Sequence, residues 1–230
     1  KTADLATELT EALESYELHR AVQFINRFCS GVLSSTYHDI IKDRLYTLDR
    51  DDPKRRSTQT AIFKIFETFV SLIGPILPFT ADEAWSFHKT NQKLSNDFLM
   101  LQKWPESDQS WKKSLEVEDA EKLLNLKESK INEVLESLRS YKEIGQSLEA
   151  ELVINCSNKD DLFEILNRRQ DQLAELFIVS SVIVKTSEAN SELTISAHHA
   201  PGVRCPRSWR WVPELVEVDG WGQVSPRCAQ

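Results

Sequence analysis

The stretch INRFCSGVLSSTYHDIIKDRL, residues 25–45, decides the architecture of the amino-terminal half. Ile25, Phe28, Cys29, Val32, Leu33, Thr36, Tyr37, Ile40, Ile41 and Leu45 recur at alternating steps of three and four. Such steps lay one stripe along several helical turns, whereas a strand needs steps of two. The same pattern extends to both sides. Leu5, Leu9, Ala12, Leu13 and Tyr16 share a helical face ahead of it. After it, Asp52-Pro53 is a helix start, with Asp as N-cap and Pro at the first helical position. The stripe Ile62, Ile65, Phe66, Phe69, Val70 and Ile73 follows, and Gly74-Pro75 ends it. Thr80 and Glu83 have capping-box spacing and predict one more helix, containing Trp85. Short joins between these helices predict an antiparallel bundle.

The pattern weakens at residues 89–115, which are polar and broken by Pro105. They are expected to form a linker that wraps the bundle, with Trp104 and Trp111 tucked against a neighbour. A helix is expected over 116–141, with Leu124, Ile131, Val134, Leu135 and Leu138 inward. Beyond Gly145 the period becomes two: Leu152, Ile154 and Cys156 alternate with Glu151, Val153 and Asn155, which predicts a strand. A short helix over 160–175 and strands over 177–184 and 192–197 complete a small α+β domain. The fold class expected is mostly α with α+β. A helical domain with its linker occupies 1–112, the α+β domain 113–200, and a Trp- and Pro-rich terminal segment 201–230.

Charge is uneven. The 230 residues carry a net charge of −8, and residues 113–200 alone hold 17 acidic against 10 basic groups. Both ends are near neutral and free to present local basic surface. No run of eighteen apolar residues exists, so no membrane partner is expected. The chain starts at Lys1 without a start Met, which suggests a piece of a longer protein. Cys29, Cys156, Cys205 and Cys228 are scattered, two of them within apolar patterns. That is not a disulfide framework, and the cytoplasm is the expected compartment. The six glycines form neither GxxxxGK nor GxGxxG, which argues against a self-contained nucleotide-binding enzyme. No GxSxG elbow occurs; His38 and Asp39 are adjacent on a helix and diverge, and His19 and His88 stand alone.

Two groups of residues suggest chemistry. Residues 205–228 read CPRSWRWVPELVEVDGWGQVSPRC. With Cys at 208 and 225 this would be C-x2-C-x16-C-x2-C, the spacing of a four-thiolate zinc site. Ser208 and Ser225 stand there instead. A serine hydroxyl stays protonated and binds zinc poorly, so zinc is not the expected state. The bland reading is a small fold held by Trp209, Trp211 and Trp221 without its ion. Arg207, Trp209 and Arg210 interleave cations with an aromatic ring, which either grips unpaired bases or packs a tiny core. Lys54, Arg55 and Arg56 sit at a helix start, where the dipole disfavours cations. They either attract phosphate or form a solvated face. Lys42 and Arg44 share that ambiguity, and Arg27 lies where it could anchor a buried pair.

The order of certain blocks goes further. NRFCSGVLSSTYHDIIKDRLYT (26–47), RRSTQTAIFKI (55–65), GPILPFTADEAW (74–85), KEIGQSLEAELVI (142–154) and CPRSW (205–209) together resemble the C-terminal region of bacterial-type isoleucyl-tRNA synthetases. The resemblance implies the helical-bundle anticodon-binding domain of a class I synthetase, then a small α+β domain and a zinc-ribbon-like end. It implies that the bundle and the end segment grip the anticodon stem-loop of the isoleucine tRNA. It places ATP, Mg and the joining of isoleucine to tRNA in a catalytic domain whose HIGH and KMSKS motifs are not among these residues. By resemblance, Arg207 and Trp209 meet the anticodon loop. Cys205 and Cys228 match the outer zinc ligands, and Ser208 and Ser225 replace the inner ones. The expected partners are the tRNA and the catalytic domain of the same chain, with no DNA and no second copy. The competing expectation is a helical protein-interaction module with a degenerate zinc ribbon.

Overall fold

The computed structural model describes residues 1–92, 98–112, 114–187 and 192–229. The elements run α1 (Thr2–Glu14), α2 (Leu18–Arg27), a wide π-helical stretch (Phe28–His38), α3 (Asp39–Thr47), α4 (Pro53–Ile73) and α5 (Pro78–Gln92). Then come α6 (Leu115–Leu126), a π-helical turn (Lys127–Ile131), α7 (Asn132–Ser140), β1 (Ala150–Ser157), α8 (Asp161–Arg168), α9 (Gln170–Phe177), β2 (Ser181–Ser187) and β3 (Thr194–His199). Short strands β4 (Val203–Arg204), β5 (Trp211–Val212), β6 (Val216–Val218) and β7 (Gly222–Val224) close the chain. Contacts divide it into two compact units, Lys1–Asp39 with Pro53–Ser114, and Ile40–Asp52 with Leu115–Gln230.

The first unit is helical. Leu5, Ala6, Leu9 and Ala12 bury one face of α1 against Ala21, Ile25 and Phe28, Val70, Leu72 and Ile73 of α4, and Ala81 of α5. Phe28 and Phe69 stack with ring centroids 5.6 Å apart. The expected start of α4 at Pro53 and its end before Gly74-Pro75 match the structure. α5 begins earlier than Thr80 and Glu83 predict. Pro78 supplies a preorganised first turn, so Thr80 falls inside the helix and caps nothing. In the expected linker, Trp104 Nε1 donates to Thr10 Oγ1 at 2.8 Å and Ser107 Oγ donates to the Ala3 carbonyl at 2.8 Å. Trp111 is not tucked in but 43% exposed. Residues 93–97 and 113 of that expected linker lie outside the described residues. Arg27 pairs with Glu8 at 2.6 Å on the surface, so it is no buried anchor.

The second unit is built on a three-stranded sheet of order β2-β1-β3, with β1 parallel to β2 and antiparallel to β3. Alternation along β1 is as expected: Ala150, Leu152, Ile154 and Cys156 are buried and their neighbours are half-buried. Leu123, Leu126, Ile131, Leu135 and Leu138 cover that face together with Ile165, Leu166, Leu173 and Phe177. The helix expected over 160–175 is two helices, broken at Arg169. The Asp160 carboxylate caps the first by accepting the Leu162 N–H at 2.9 Å. The strand expected from Phe177 begins only at Ser181, because Phe177 closes α9 as a fully buried residue and Ile178 turns left-handed at φ 59°. The last segment forms two antiparallel hairpins, β4 with β5 and β6 with β7, around Cys205, Val224 and Cys228. No helix among the described residues is long and apolar enough to cross a membrane.

Candidate nucleic-acid interface

The terminal hairpins carry most of the sequence-nominated residues. β4 leads into a tight turn, residues 205–210, that returns as β5. Inside it the Cys205 N–H donates to the Arg210 carbonyl and the Trp209 N–H donates to the Cys205 carbonyl, both at 2.8 Å. Gly202 is required where the two strands meet. Its φ is +103°, and a Cβ would lie 2.2 Å from the Val212 carbonyl oxygen. Trp209 takes φ 63°, a left-handed conformation that disfavours bulky side chains by about 1–2 kcal/mol. The strained turn holds its indole half in solvent, at 50% exposure. The expectation that Trp209, Trp211 and Trp221 form a core is therefore corrected. Only Trp211 is half-buried, its ring edge-on to His199 at 4.4 Å, while Trp221 is 66% exposed. The core is filled by the two cysteines and by Val212, Leu215, Val218 and Val224.

Each exposed indole of the terminal hairpins has a cation over it. The Arg204 guanidinium lies 5.3 Å from the Trp209 ring centre, and that of Arg207 lies 4.8 Å from the Trp221 ring centre. Arg207 Nη1 also donates to the Cys228 carbonyl at 3.4 Å. Arg207 and Trp209 were legible as a stacking pair in the sequence, whereas Trp221 was legible only as core and Arg204 not at all. The missed signal was the alternation of Gly220, Trp221 and Gly222, which marks a tight hairpin tip bearing one large residue.

Two other nominated cations, Arg210 and Arg44, have carboxylate partners. Arg210, buried along its stem, lies 3.0 Å from Asp43 on α3, and Arg227 reaches the same oxygen at 2.7 Å. Burial lowers the Arg210 pKa while Asp43 pulls it back up. Arg44 grips Glu175 of α9 with Nε and, at 3.1 Å, with Nη2. These pairs fix α3 to the hairpins and to α9. In the other unit, Lys54, Arg55 and Arg56 occupy the first turn of α4, which contains no acidic residue. Lys54 and Arg56 are exposed and Arg55 is half-buried.

At the centre of the terminal segment Cys205 is fully buried, and its sulfur accepts the Ser225 N–H at 3.3 Å. Burial works to raise its pKa, but hydrogen bonds from Ser208 and Ser225 outweigh it and bring the thiol to about 6. The four residues at ligand positions thus supply two sulfurs and two hydroxyls, a set that does not fit tetrahedral zinc. His198 and His199 do not complete it. His198 Nε2 lies 2.9 Å from Glu151 Oε1, and His199 Nδ1 lies 2.9 Å from the Ala200 carbonyl. Among the described residues no three His, Cys, Asp or Glu side chains are grouped to hold a metal.

Comparison with known proteins agrees with the layout. A family model described as the anticodon-binding domain of tRNA ligase matches residues 1–154. An isoleucine–tRNA ligase of a Thermoanaerobacter species is 34% identical over 232 residues, covering 96% of this chain and 24% of that protein. That of Thermotoga maritima is 34% identical over 231 residues, covering 98% and 24%. That of Dichelobacter nodosus is 38% identical over 241 residues, covering 99% and 24%. The chain spans about a quarter of the length of these relatives. A helical unit ahead of a small sheet, matched from residue 1 into β1, makes this chain a member of the family of tRNA-ligase anticodon-binding domains.

Proposed function

We propose that this chain is the tRNA-gripping part of an isoleucine–tRNA ligase and acts in the cytoplasm as a single copy. It holds the anticodon stem-loop of the isoleucine tRNA. Joining of isoleucine to tRNA at the expense of ATP and Mg belongs to a catalytic domain of the same protein. The observation that carries this reading is 34–38% identity to isoleucine–tRNA ligases over almost all of the chain.

The chemistry supports it. Cations set position on phosphates, and exposed aromatics stack on unpaired bases. Arg207 and Trp209 present both at the terminal hairpins, and Lys54, Arg55 and Arg56 present charge at a helix start. In this reading Arg44 and Arg210 act by position: they hold α3 and leave the RNA to others. The terminal segment is a zinc-ribbon-like fold that stands without its ion, with Cys205 and Cys228 in its core. The competing protein-interaction module draws on the acidic residues 113–200, whereas the cations and exposed indoles of the terminal hairpins lie outside them.

Filter binding against isoleucine tRNA transcripts with altered anticodons tests the proposal. The cognate transcript should be retained at least about tenfold better than a variant with all three anticodon bases changed, a loss of about 1.4 kcal/mol or more when specific base contacts go. Equal retention of every variant would count against it.

A further inference from the structure

We infer that Trp221, with Arg207 stacked on it, is a second base-stacking ledge in addition to Trp209, so that the terminal hairpins take hold of two unpaired bases. This rests on the anticodon reading above. The geometry of the hairpin carries it. β6 and β7 are joined by Asp219, Gly220 and Trp221, with the Trp221 N–H donating to the Val218 carbonyl at 3.0 Å. Gly220 and Gly222 have φ of +78° and +70°, so the backbone bends sharply on both sides of the indole. A tight tip of this kind suits small polar residues. It carries instead the largest side chain available, 66% exposed.

Nothing in the packing explains Trp221. It is absent from the core formed by Cys205, Val224 and Cys228. An isolated exposed leucine would need no explanation, but an indole held out at a tight tip under a guanidinium is a prepared surface. The Arg207 guanidinium, 4.8 Å from the ring centre, is tethered from behind by its bond to the Cys228 carbonyl. Among the described residues neither Arg204 nor Arg207 is in an ion pair, whereas Arg210 and Arg227 both lie against Asp43. The two unneutralised cations of the segment are therefore the two that stack on its exposed indoles.

That pairing selects the occupant. The guanidiniums of Arg204 and Arg207 would repel a basic protein surface, and the flat faces of the exposed indoles offer stacking that a carboxylate does not use. An unpaired nucleobase is flat, neutral and attached to a phosphate, and it satisfies indole and guanidinium together. The repeat of one motif, an arginine over an exposed tryptophan, suits two unpaired bases.

The test compares two RNA hairpins with the same stem, one closed by a seven-base loop carrying the isoleucine anticodon, the other by a short structured tetraloop. The 230-residue chain should prefer the seven-base loop. Trp221→Ala should weaken that binding about five- to 150-fold, the range for removal of one aromatic–base stack. Trp221→Phe should restore most of it. With tryptophan labelled by 5-fluorotryptophan, the 19F signal that Trp221→Phe removes should shift on addition of the seven-base hairpin and stay put with the tetraloop. If the unsubstituted chain shows no preference for the open loop, the anticodon reading fails and the ledge with it. If it does prefer the open loop and Trp221→Ala prefers it equally, the ledge alone is overturned, and Trp221 faces a protein or nothing.

Discussion

Cys205 shows how far spacing can be read. The C-x2-S-x16-S-x2-C pattern says that residues 205, 208, 225 and 228 converge, and the Ser225 N–H on the Cys205 sulfur agrees. Spacing does not say what occupies the middle. Here serine hydroxyls and backbone N–H groups satisfy a buried sulfur, which replaces coordination by hydrogen bonds. The chain should therefore hold no zinc after dialysis, and a chelator should leave its melting temperature unchanged. The double variant Ser208→Cys with Ser225→Cys should take up about one zinc per chain. At free zinc near a thousand times its Kd it should gain about 4 kcal/mol, lost on chelation. Stoichiometric zinc in the unsubstituted chain would refute this. The tryptophans were less legible than the cysteines. An indole suits a core and a stacking surface equally well, so only its exposure in the folded chain separates Trp211 from Trp209 and Trp221.

At the scale of elements, helix and strand periods were legible and departures from them were not. The stripe expected over 116–141 placed Leu124 inward; the structure buries Leu123 and Leu126, then Ile131, Leu135 and Leu138. The widened turn Lys127–Ile131 slips the phase between α6 and α7, and a template of 3.6 residues cannot foresee it. The break between α8 and α9 was equally hidden, and it has a visible use. Consecutive side chains on an unbroken helix diverge by about 100°. The break lets Arg168 and Arg169 both reach Asp119 of α6, at 2.7 and 2.8 Å. Asp119 is almost fully buried, and these hydrogen bonds, Arg168 first, hold its pKa at about 2 against the opposing effect of burial. Its folded-state pKa lies below the unfolded value of about 3.9, so its stabilisation is complete above that pH and is lost as pH falls toward 2. Asp119→Asn should cost about 2–3 kcal/mol at neutral pH, the worth of charge-assisted bonds to a buried group. Between about pH 4 and pH 2 its stability should fall less steeply than that of the parent. Urea unfolding across that range checks both; parallel acid limbs would remove Asp119 as the cause.

At the scale of the whole chain, the helical first half and the change to strand period after Gly145 were legible because each rests on local spacing. Membership of residues 40–52 in the same compact unit as residues 115–230 was not, since it depends on long-range pairs such as Arg44 with Glu175 and Asp43 with Arg210 and Arg227. Net charge misleads in a similar way. A chain at −8 should repel a polyanion, yet 7 of those charges arise within residues 113–200 and the terminal thirty residues carry 4 basic against 3 acidic groups. If binding to the stem-loop depends on local cations that displace counterions, salt must weaken it steeply despite the overall sign. Neutralisation of about three to four phosphates predicts a loss of about 40- to 150-fold between 50 and 200 mM salt. Arg204→Gln with Arg207→Gln should flatten that dependence as well as weaken binding, because each phosphate contact removed takes about one unit from the slope. A salt response that is flat, or that rises with screening of the acidic residues, would mean that the chain meets RNA through no cationic surface of its own, and the protein-interaction reading would then account for it better.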